Sequence, residues 1–371
     1  MLEEPGLIFG HLFMSPAQLK TYFHLISGRS RGPFAFMARS LLAIASCGYA
    51  LATFLRNKSY DWNFNKTVTV NAPIISIGNA TTGGTGKTPM VEYVARHFRD
   101  QGRMVSILSR GYGSSEHGGM NDEGLLLYQN LPDVPHLQGP DRAALAQVAV
   151  EELLSELLIL DDGLQHRRLR RSLDILLIDA TNPFGFGWLL PRGLLREPLK
   201  QALRRADVIL LTRSDLVTDQ ARTAIRTKVN RLSGSPKLWV ESAHKPVELL
   251  MADRSEMALS DLNNKTVAIF SGLGNPAAFR QSVEQLGAKV IAEQSFPDHH
   301  PYSEADLASL SRWVAACGAD LALTSQKDLV KLPIEQLGGK PLGAIRIGLH
   351  ILQGKAELLK ALDQAFAAST S

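Results

Sequence analysis

The sequence predicts an α/β protein: a doubly wound parallel sheet, a second and smaller α/β domain, and a membrane-associated helix near the N-terminus. Three observations carry that prediction. Short apolar runs alternate with helix-compatible stretches from residue 74 onward, the pattern of parallel strands buried on both faces. A glycine-rich loop follows the first of those runs and leads into a helix. Ahead of both lie sixteen consecutive uncharged residues with basic flanks.

The uncharged stretch, Ser40–Leu55, reads SLLAIASCGYALATFL. As a helix it spans roughly 24 Å at about 1.5 Å per residue, short of a hydrocarbon core of about 30 Å. Extending it back through Phe34–Ala38 places Arg39 inside the run. No acidic residue occurs between Glu4 and Asp61, while Lys20, Arg29, Arg31, Arg39, Arg56 and Lys58 do. An apolar helix with such flanks is expected to lie in the membrane interface, drawn to anionic lipid. It starts too late for a signal peptide. A buried core helix and a true spanning helix are the alternatives.

Ile74–Ile77 is the first strand, and Gly83-Gly84-Thr85-Gly86-Lys87-Thr88 follows before a helix over Met90–Phe98. Backbone N–H groups of such a loop, aided by the helix dipole, cradle phosphate. Lys87 is placed to reach the β- and γ-phosphates, and the Thr88 hydroxyl to ligate Mg²⁺. The loop is a variant, because Thr81 stands where the strict pattern has glycine, and the nearest earlier glycine is Gly78.

Further strands are expected at Val105–Leu108, Leu157–Leu160, Ile175–Ile178 and Val208–Leu211, with helices such as Arg142–Leu154 and Glu197–Arg205. Residues 112–139 are irregular and rich in Gly, Asp and Pro, and a long loop inside a compact domain is usually functional. Leu157–Leu160 runs into Asp161-Asp162-Gly163, so one or both carboxylates could hold Mg²⁺ at a strand tip. Gln165-His166-Arg167-Arg168-Leu169-Arg170-Arg171 and Pro191–Pro198, which includes Arg192 and Arg196, supply planar donors for a phosphate. Phe184, Phe186 and Trp188 stand just before the second group, which suggests an amphiphilic, phosphate-bearing substrate; a solvated basic face is the plain alternative.

A second unit is expected from Lys237, with Leu238–Val240 and Pro246–Leu250 as a short connecting hairpin. Strands then fall at Val267–Phe270, Val290–Ala292, Leu321–Thr324 and Ala344–Ile347, and helices at Pro276–Leu286 and Lys355–Phe366. The expected domains are therefore 1–65, 66–236 and 237–371. Asp298-His299-His300 could supply a histidine paired with an acid, or be a structural turn. Cys47 and Cys317 are the only cysteines, which excludes a disulfide framework and a cysteine-based zinc cluster. The net charge of +4 is mild, and no nucleic-acid module accompanies the arginines, so nucleic acid is not expected as a partner.

Taken in order, these motifs resemble the tetraacyldisaccharide 4'-kinase family, the lipid A 4'-kinases of Gram-negative bacteria. The resemblance runs from the N-terminal helix through Gly83–Pro89, Ser109-Arg110-Gly111-Tyr112-Gly113, Asn121-Asp122-Glu123, Leu160–Arg168, Pro183-Phe184-Gly185 and Leu194–Pro198 to Phe296–His300 and Thr324–Asp328. It implies transfer of the ATP γ-phosphate, with Mg²⁺, to the 4'-hydroxyl of a tetraacylated glucosamine disaccharide 1-phosphate, giving lipid IV-A. The expected setting is the cytoplasmic face of the inner membrane, with the protein peripheral and monomeric. Asp122 is implied as catalytic base, supported from the second domain by a histidine matched to His299, with His300 the alternative match. Thr88, Asp161 and Asp162 are expected at the metal, and Arg167, Arg168, Arg171 and Arg196 at the 1-phosphate. Asn121, Gly124, Leu164 and Gln326 depart from the usual family residues. A membrane-associated GTPase or ATPase switch is the competing class, since Thr212-Arg213-Ser214-Asp215 is similar to a guanine-specifying Thr-Lys-x-Asp, with Arg213 in place of lysine.

Overall fold

The computed structural model describes residues 16–62, 64, 66–111, 122–297 and 300–368, and the chain forms two compact units. It begins in the first unit with α1 (Pro16–Ile26), α2 (Pro33–Asp61), β1 (Ile74–Asn79), α3 (Lys87–Arg99) and β2 (Val105–Ser109). Residues Gly111–Pro132 belong to the second unit and contain α4 (Asp122–Asn130). The chain then returns to the first unit for β3 (His136–Gln138), α5 (Arg142–Glu151), β4 (Leu157–Asp161), β5 (Leu173–Asp179), α6 (Leu199–Arg205), β6 (Val208–Thr212), α7 (Asp219–Ser233) and the start of β7 (Leu238–Met251). From His244 the second unit holds the rest of β7, then β8 (Glu256–Met257), β9 (Thr266–Ser271), α8 (Pro276–Gln285), β10 (Lys289–Ser295), α9 (Glu304–Cys317), β11 (Leu321–Ser325), α10 (Gln326–Leu329), β12 (Gln336–Leu337) and β13 (Lys340–Gln353) as far as His350. From Ile351 the chain is again in the first unit, ending in α11 (Lys355–Ala367).

The strands of the first unit run in the order β7-β6-β5-β1-β4-β2-β3, and every pair is parallel. β1 lies between β4 and β5, which places the loop after β1 at the C-terminal edge where a doubly wound sheet binds ligands. β1, β2, β4 and β6 are buried at every position, as their unbroken apolar runs require. Ala143, Ala146 and Ala149 of α5 pack with Leu158 and Leu160, while Ala202, Leu203, Ile225 and Val229 of α6 and α7 pack with Leu176, Ile209 and Leu211. In the second unit the order is β10-β9-β11-β13-β7, with β9, β10, β11 and β13 mutually parallel.

Three features differ from the sequence reading. The two runs expected as a hairpin at 238–250 belong to one strand of 14 residues. Helix α11, expected in the C-terminal domain, joins the first unit, where Phe366 stacks on Phe98 at 5.5 Å and Asp363 meets His97 at 2.8 Å. The segment carrying Asp122 groups with the second unit rather than with the glycine loop.

Helix α2 is also longer than expected, at 29 residues, roughly 43 Å of helix. By length and composition alone it is apolar enough to cross a membrane. Its buried residues are nevertheless polar: Ser46, Thr53 and Asn57. Ser46 Oγ donates to the Leu189 carbonyl at 2.9 Å, Tyr49 donates to the Arg196 carbonyl at 2.9 Å, and Asn57 Nδ2 donates to Glu197 at 3.3 Å and Gln201 at 2.7 Å. Its large apolar side chains face outward, with Phe34 81%, Phe36 70%, Leu41 62%, Ile44 69% and Leu51 59% exposed. A helix that bonds its polar stripe to the protein and exposes its apolar stripe is suited to an apolar surrounding, and the fit is to association with a membrane.

Candidate active site

The loop between β1 and α3 needs glycine at two positions. Gly83 has φ 108° and Gly86 φ 87°, where a side chain would be strained. A Cβ on Gly83 or Gly84 would meet no protein atom, so the space before them is open. Three donors from outside the loop hold its carbonyls. Asn79 Nδ2 reaches Gly83 O at 3.4 Å, Arg213 Nη2 reaches Gly84 O at 2.9 Å, and Thr212 Oγ1 reaches Thr85 O at 2.9 Å. Because a trans peptide points N–H opposite to C=O, the N–H groups of Gly84, Thr85 and Gly86 turn the other way, as an anion cradle requires. Helix α3 begins at Lys87, directly behind this loop.

Asp162 follows β4 in the left-handed region, φ 49°, a conformation that aspartate tolerates better than most residues. Arg142 Nη1 holds the Asp161 and Asp162 carbonyls at 3.1 and 3.2 Å. The Asp162 carboxylate accepts from Arg196 Nη1 at 2.8 and 2.9 Å and lies 3.7 Å from Lys87 Nζ. Burial alone would raise its pKa, but the Arg196 and Lys87 charges outweigh burial and hold the carboxyl well below the usual carboxylate range. The result is an ionised carboxylate, a pair of cations and a glycine cradle at one sheet edge.

A buried polar network supports this arrangement. Gln165 Nε2 donates to Asn79 O at 3.0 Å and to Glu197 Oε1 at 3.2 Å, and Glu197, fully buried, also accepts from Arg205 at 2.7 Å. The chain of contacts thus runs from Asn57 of α2 through Glu197 and Gln165 to the start of the glycine loop. Glu197 and Gln165 were visible in the sequence only as members of motifs, without roles. Arg213, similar in its motif to a guanine-reading lysine, pairs with Asp179 in the structure and holds Gly84.

The four arginines expected at a substrate phosphate separate. Arg196 stands with Asp162 beside the glycine loop. Arg167 binds Asn57 O at 2.7 Å and Asp61 at 2.8 Å, and Arg168 binds Asp141 at 2.9 Å on the surface. Arg171 is enclosed, 3.1 Å from Asp174 and bonded to the Gly163 and His166 carbonyls at 3.2 and 3.3 Å, which is a structural position. The side chain of Asp122, the first residue of α4, and the whole of His299 lie outside the described residues. His300 is described: its Nε2 meets Asp306 at 3.0 Å and its ring stacks on Phe296 at 4.7 Å. Gln326 Nε2 donates to Asn130 Oδ1 at 2.7 Å, tying α10 to the end of α4 within the second unit.

Two histidines of the first unit set a pH dependence of stability. Burial pushes His136 down to about 4, and burial with the Arg142 and Arg171 charges pushes His166 down to about 3. Both are neutral in the fold, whereas the unfolded chain takes up protons near pH 6.5. Their contribution is therefore complete above pH 6.5 and falls as the pH drops toward the folded values, by roughly 2 kcal/mol each between pH 6.5 and 5. Urea midpoints measured at pH 7 and pH 5 are expected to show that fall, and His166→Gln to reduce it; an equal slope in the variant would count against His166.

The family profile described as Tetraacyldisaccharide-1-P 4'-kinase matches residues 38–367. A tetraacyldisaccharide 4'-kinase of Anaeromyxobacter sp. (strain K) is 40% identical over 356 residues, covering 91% of this chain and 93% of the relative. The protein of the same name from Syntrophus aciditrophicus (strain SB) is 38% identical over 332 residues, covering 83% of this chain and 87% of the relative. Among solved structures, the crystal structure of LpxK from Aquifex aeolicus in complex with ATP superimposes with a TM-score of 0.71 at 32% identity, covering 89% of this chain and 99% of that one.

Proposed function

The chain belongs to the tetraacyldisaccharide-1-P 4'-kinase family, and from that premise we propose that it transfers the γ-phosphoryl group of ATP to the 4'-hydroxyl of an acylated glucosamine disaccharide 1-phosphate, forming lipid IV-A. The observation that carries the reading is the meeting of Lys87, Asp162 and Arg196 beside the glycine loop. Phosphoryl transfer needs charge stabilisation and positioning more than covalent chemistry, and these groups supply both. Family membership sets the nucleotide-switch alternative aside.

The loop N–H groups of Gly84, Thr85 and Gly86 hold the phosphates, and Lys87 stabilises charge that develops on the β–γ oxygens. Arg196 is assigned to the nucleotide side, where it orients Asp162 and offers a cation to the transferring group; Arg167 and Arg168 remain the candidates for the 1-phosphate. Mg²⁺ fits the donors present: the Thr88 hydroxyl and the Asp162 carboxylate, with Asp161 adjacent. Among the described residues no group of three or more His, Cys, Asp or Glu forms a metal cage, and Mg²⁺ needs none, since it binds through one or two protein oxygens plus phosphate and water. When bound, the ion neutralises phosphate charge. Asp122 takes the proton of the sugar hydroxyl, and His299 supports it.

The protein is proposed to work as a monomer at the cytoplasmic face of the inner membrane, held peripherally by α2. The direct test is phosphate transfer from labelled ATP to the tetraacyldisaccharide 1-phosphate, in detergent with Mg²⁺. A phosphorylated lipid is the expected product. ATP consumption without lipid phosphorylation, by folded protein, would overturn the assignment.

A further inference from the structure

We propose that Arg213 and Asp179 form a positioning brace behind the glycine loop, one that aims the Thr85 N–H at the phosphates of the nucleotide; the inference rests on the kinase reading above. Arg213 touches no phosphate in this arrangement and acts on the nucleotide only through the loop.

The brace is built from the tips of two neighbouring strands. β5 ends at Asp179 and β6 at Thr212, and these two residues are register partners in the parallel pair. The Asp179 carboxylate is itself fixed, since Oδ1 accepts from the Thr181 N–H at 2.9 Å and from the Thr181 hydroxyl at 2.7 Å. Its Oδ2 accepts from Arg213 Nη1. Arg213 Nη2 then donates to the Gly84 carbonyl at 2.9 Å. One planar guanidinium thus spans a carboxylate on β5 and a carbonyl in the loop, a two-point contact that the compact ammonium of a lysine reproduces poorly.

Three observations give the brace its role. First, Arg213 adopts φ 53° and ψ 35°. A residue other than glycine keeps that left-handed conformation only where its surroundings over-determine it, and such residues cluster at functional sites. Second, the Gly84 carbonyl shares a peptide plane with the Thr85 N–H and points the opposite way, so fixing one fixes the other. Thr212 does the same for the next plane, its Oγ1 donating to the Thr85 carbonyl at 2.9 Å. Two consecutive residues at the edge of β6 therefore hold two consecutive peptides of the loop. Third, Gly83 and Gly84 are exposed, and a Cβ on either would meet no protein atom. With no packing on that side, the loop depends on these donors to keep its N–H groups preorganised for an anion. The same contacts occupy both terminal nitrogens of Arg213, so the likeness of Thr212–Asp215 to a guanine-reading motif does not extend to its use.

The test is equilibrium binding to the full-length protein in detergent with Mg²⁺ and no lipid. The probes are ATP, GTP and tripolyphosphate, which has no base. Arg213→Met is expected to raise the Kd of all three by a common factor of about ten, the loss of one charge-assisted hydrogen bond. The KM for the lipid acceptor is expected to stay unchanged, whereas a general folding defect would raise it too. Asp179→Ala is expected to weaken binding by a similar factor. The double variant is expected to lose little more, because the two residues act as one device. Asp179→Asn, which still accepts from Arg213, is expected to lose less, and Arg213→Lys to recover little of the loss in Arg213→Met.

A loss confined to ATP and GTP, with tripolyphosphate unaffected, would assign Arg213 to the base and overturn the brace. Unchanged or tighter binding in Asp179→Ala would mean that a released Arg213 binds phosphate directly, which also overturns it. Full recovery in Arg213→Lys would show that charge alone is needed. Wild-type protein that binds neither ATP nor tripolyphosphate would sink the phosphate-cradle reading itself. That outcome differs from normal wild-type binding with an unchanged Kd in Arg213→Met, which would sink only the brace.

Discussion

Lys87→Met is expected to lower kcat by about 10²–10³-fold, the usual loss when one preorganised charge is removed from a developing anion. Methionine keeps the apolar stem and removes only the ammonium. The fold is expected to survive, because Asp162 retains Arg196 at 2.8 and 2.9 Å. Arg196→Met is expected to be costly in a different way, since it leaves a carboxylate on Asp162 with only Lys87 at 3.7 Å. The two cations act on one carboxylate, so the double variant is expected to lose less than the two separate losses combined. Additive losses in the cycle would mean that Lys87 and Arg196 serve separate steps, and a Lys87→Met enzyme within threefold of wild type would remove Lys87 from the mechanism.

Much of the first unit was legible because its strands carry an unambiguous signal. Ile74–Ile77, Val105–Leu108, Leu157–Leu160 and Val208–Leu211 each lie inside observed strands that are buried throughout. The glycine loop was legible for the same local reason: a strand, glycines and a helix start within fifteen residues of chain leave few other conformations. What escaped depends on contacts distant in sequence. Ser46, Thr53 and Asn57 read as interruptions of an apolar run, and only the partners at Leu189, Glu197 and Gln201 make them the docked stripe of α2. Likewise Arg171 and Arg196 look alike in sequence, yet one is closed in by Asp174 and carbonyls and the other meets Asp162. Composition could not separate them: Arg171 is closed in by neighbours within eight residues, whereas Arg196 takes its role from Asp162, 34 positions away.

Asp122→Ala is expected to lower kcat by about 10²–10⁴-fold, the contribution typical of a positioned general base. The argument is chemical. A sugar hydroxyl is a poor nucleophile until its proton has somewhere to go, and two carboxylates beside the glycine loop are already engaged by cations, Asp162 by Arg196 and Lys87 and Asp179 by Arg213. A separate acceptor is the role proposed for Asp122. The KM for ATP is expected to stay unchanged, since residues Gly83–Thr88 are untouched. The pH profile adds a signature that a folding defect would not produce: the acidic limb of kcat/KM, set in wild type by the base, is expected to vanish with Asp122. The paired histidines can be separated by the same assay. His299→Ala is expected to reduce kcat and shift that limb, while His300→Ala, which removes the Asp306 contact and the stack on Phe296, is expected to act mainly on stability. If His300→Ala moved the limb and His299→Ala left it in place, the supporting role would pass to His300.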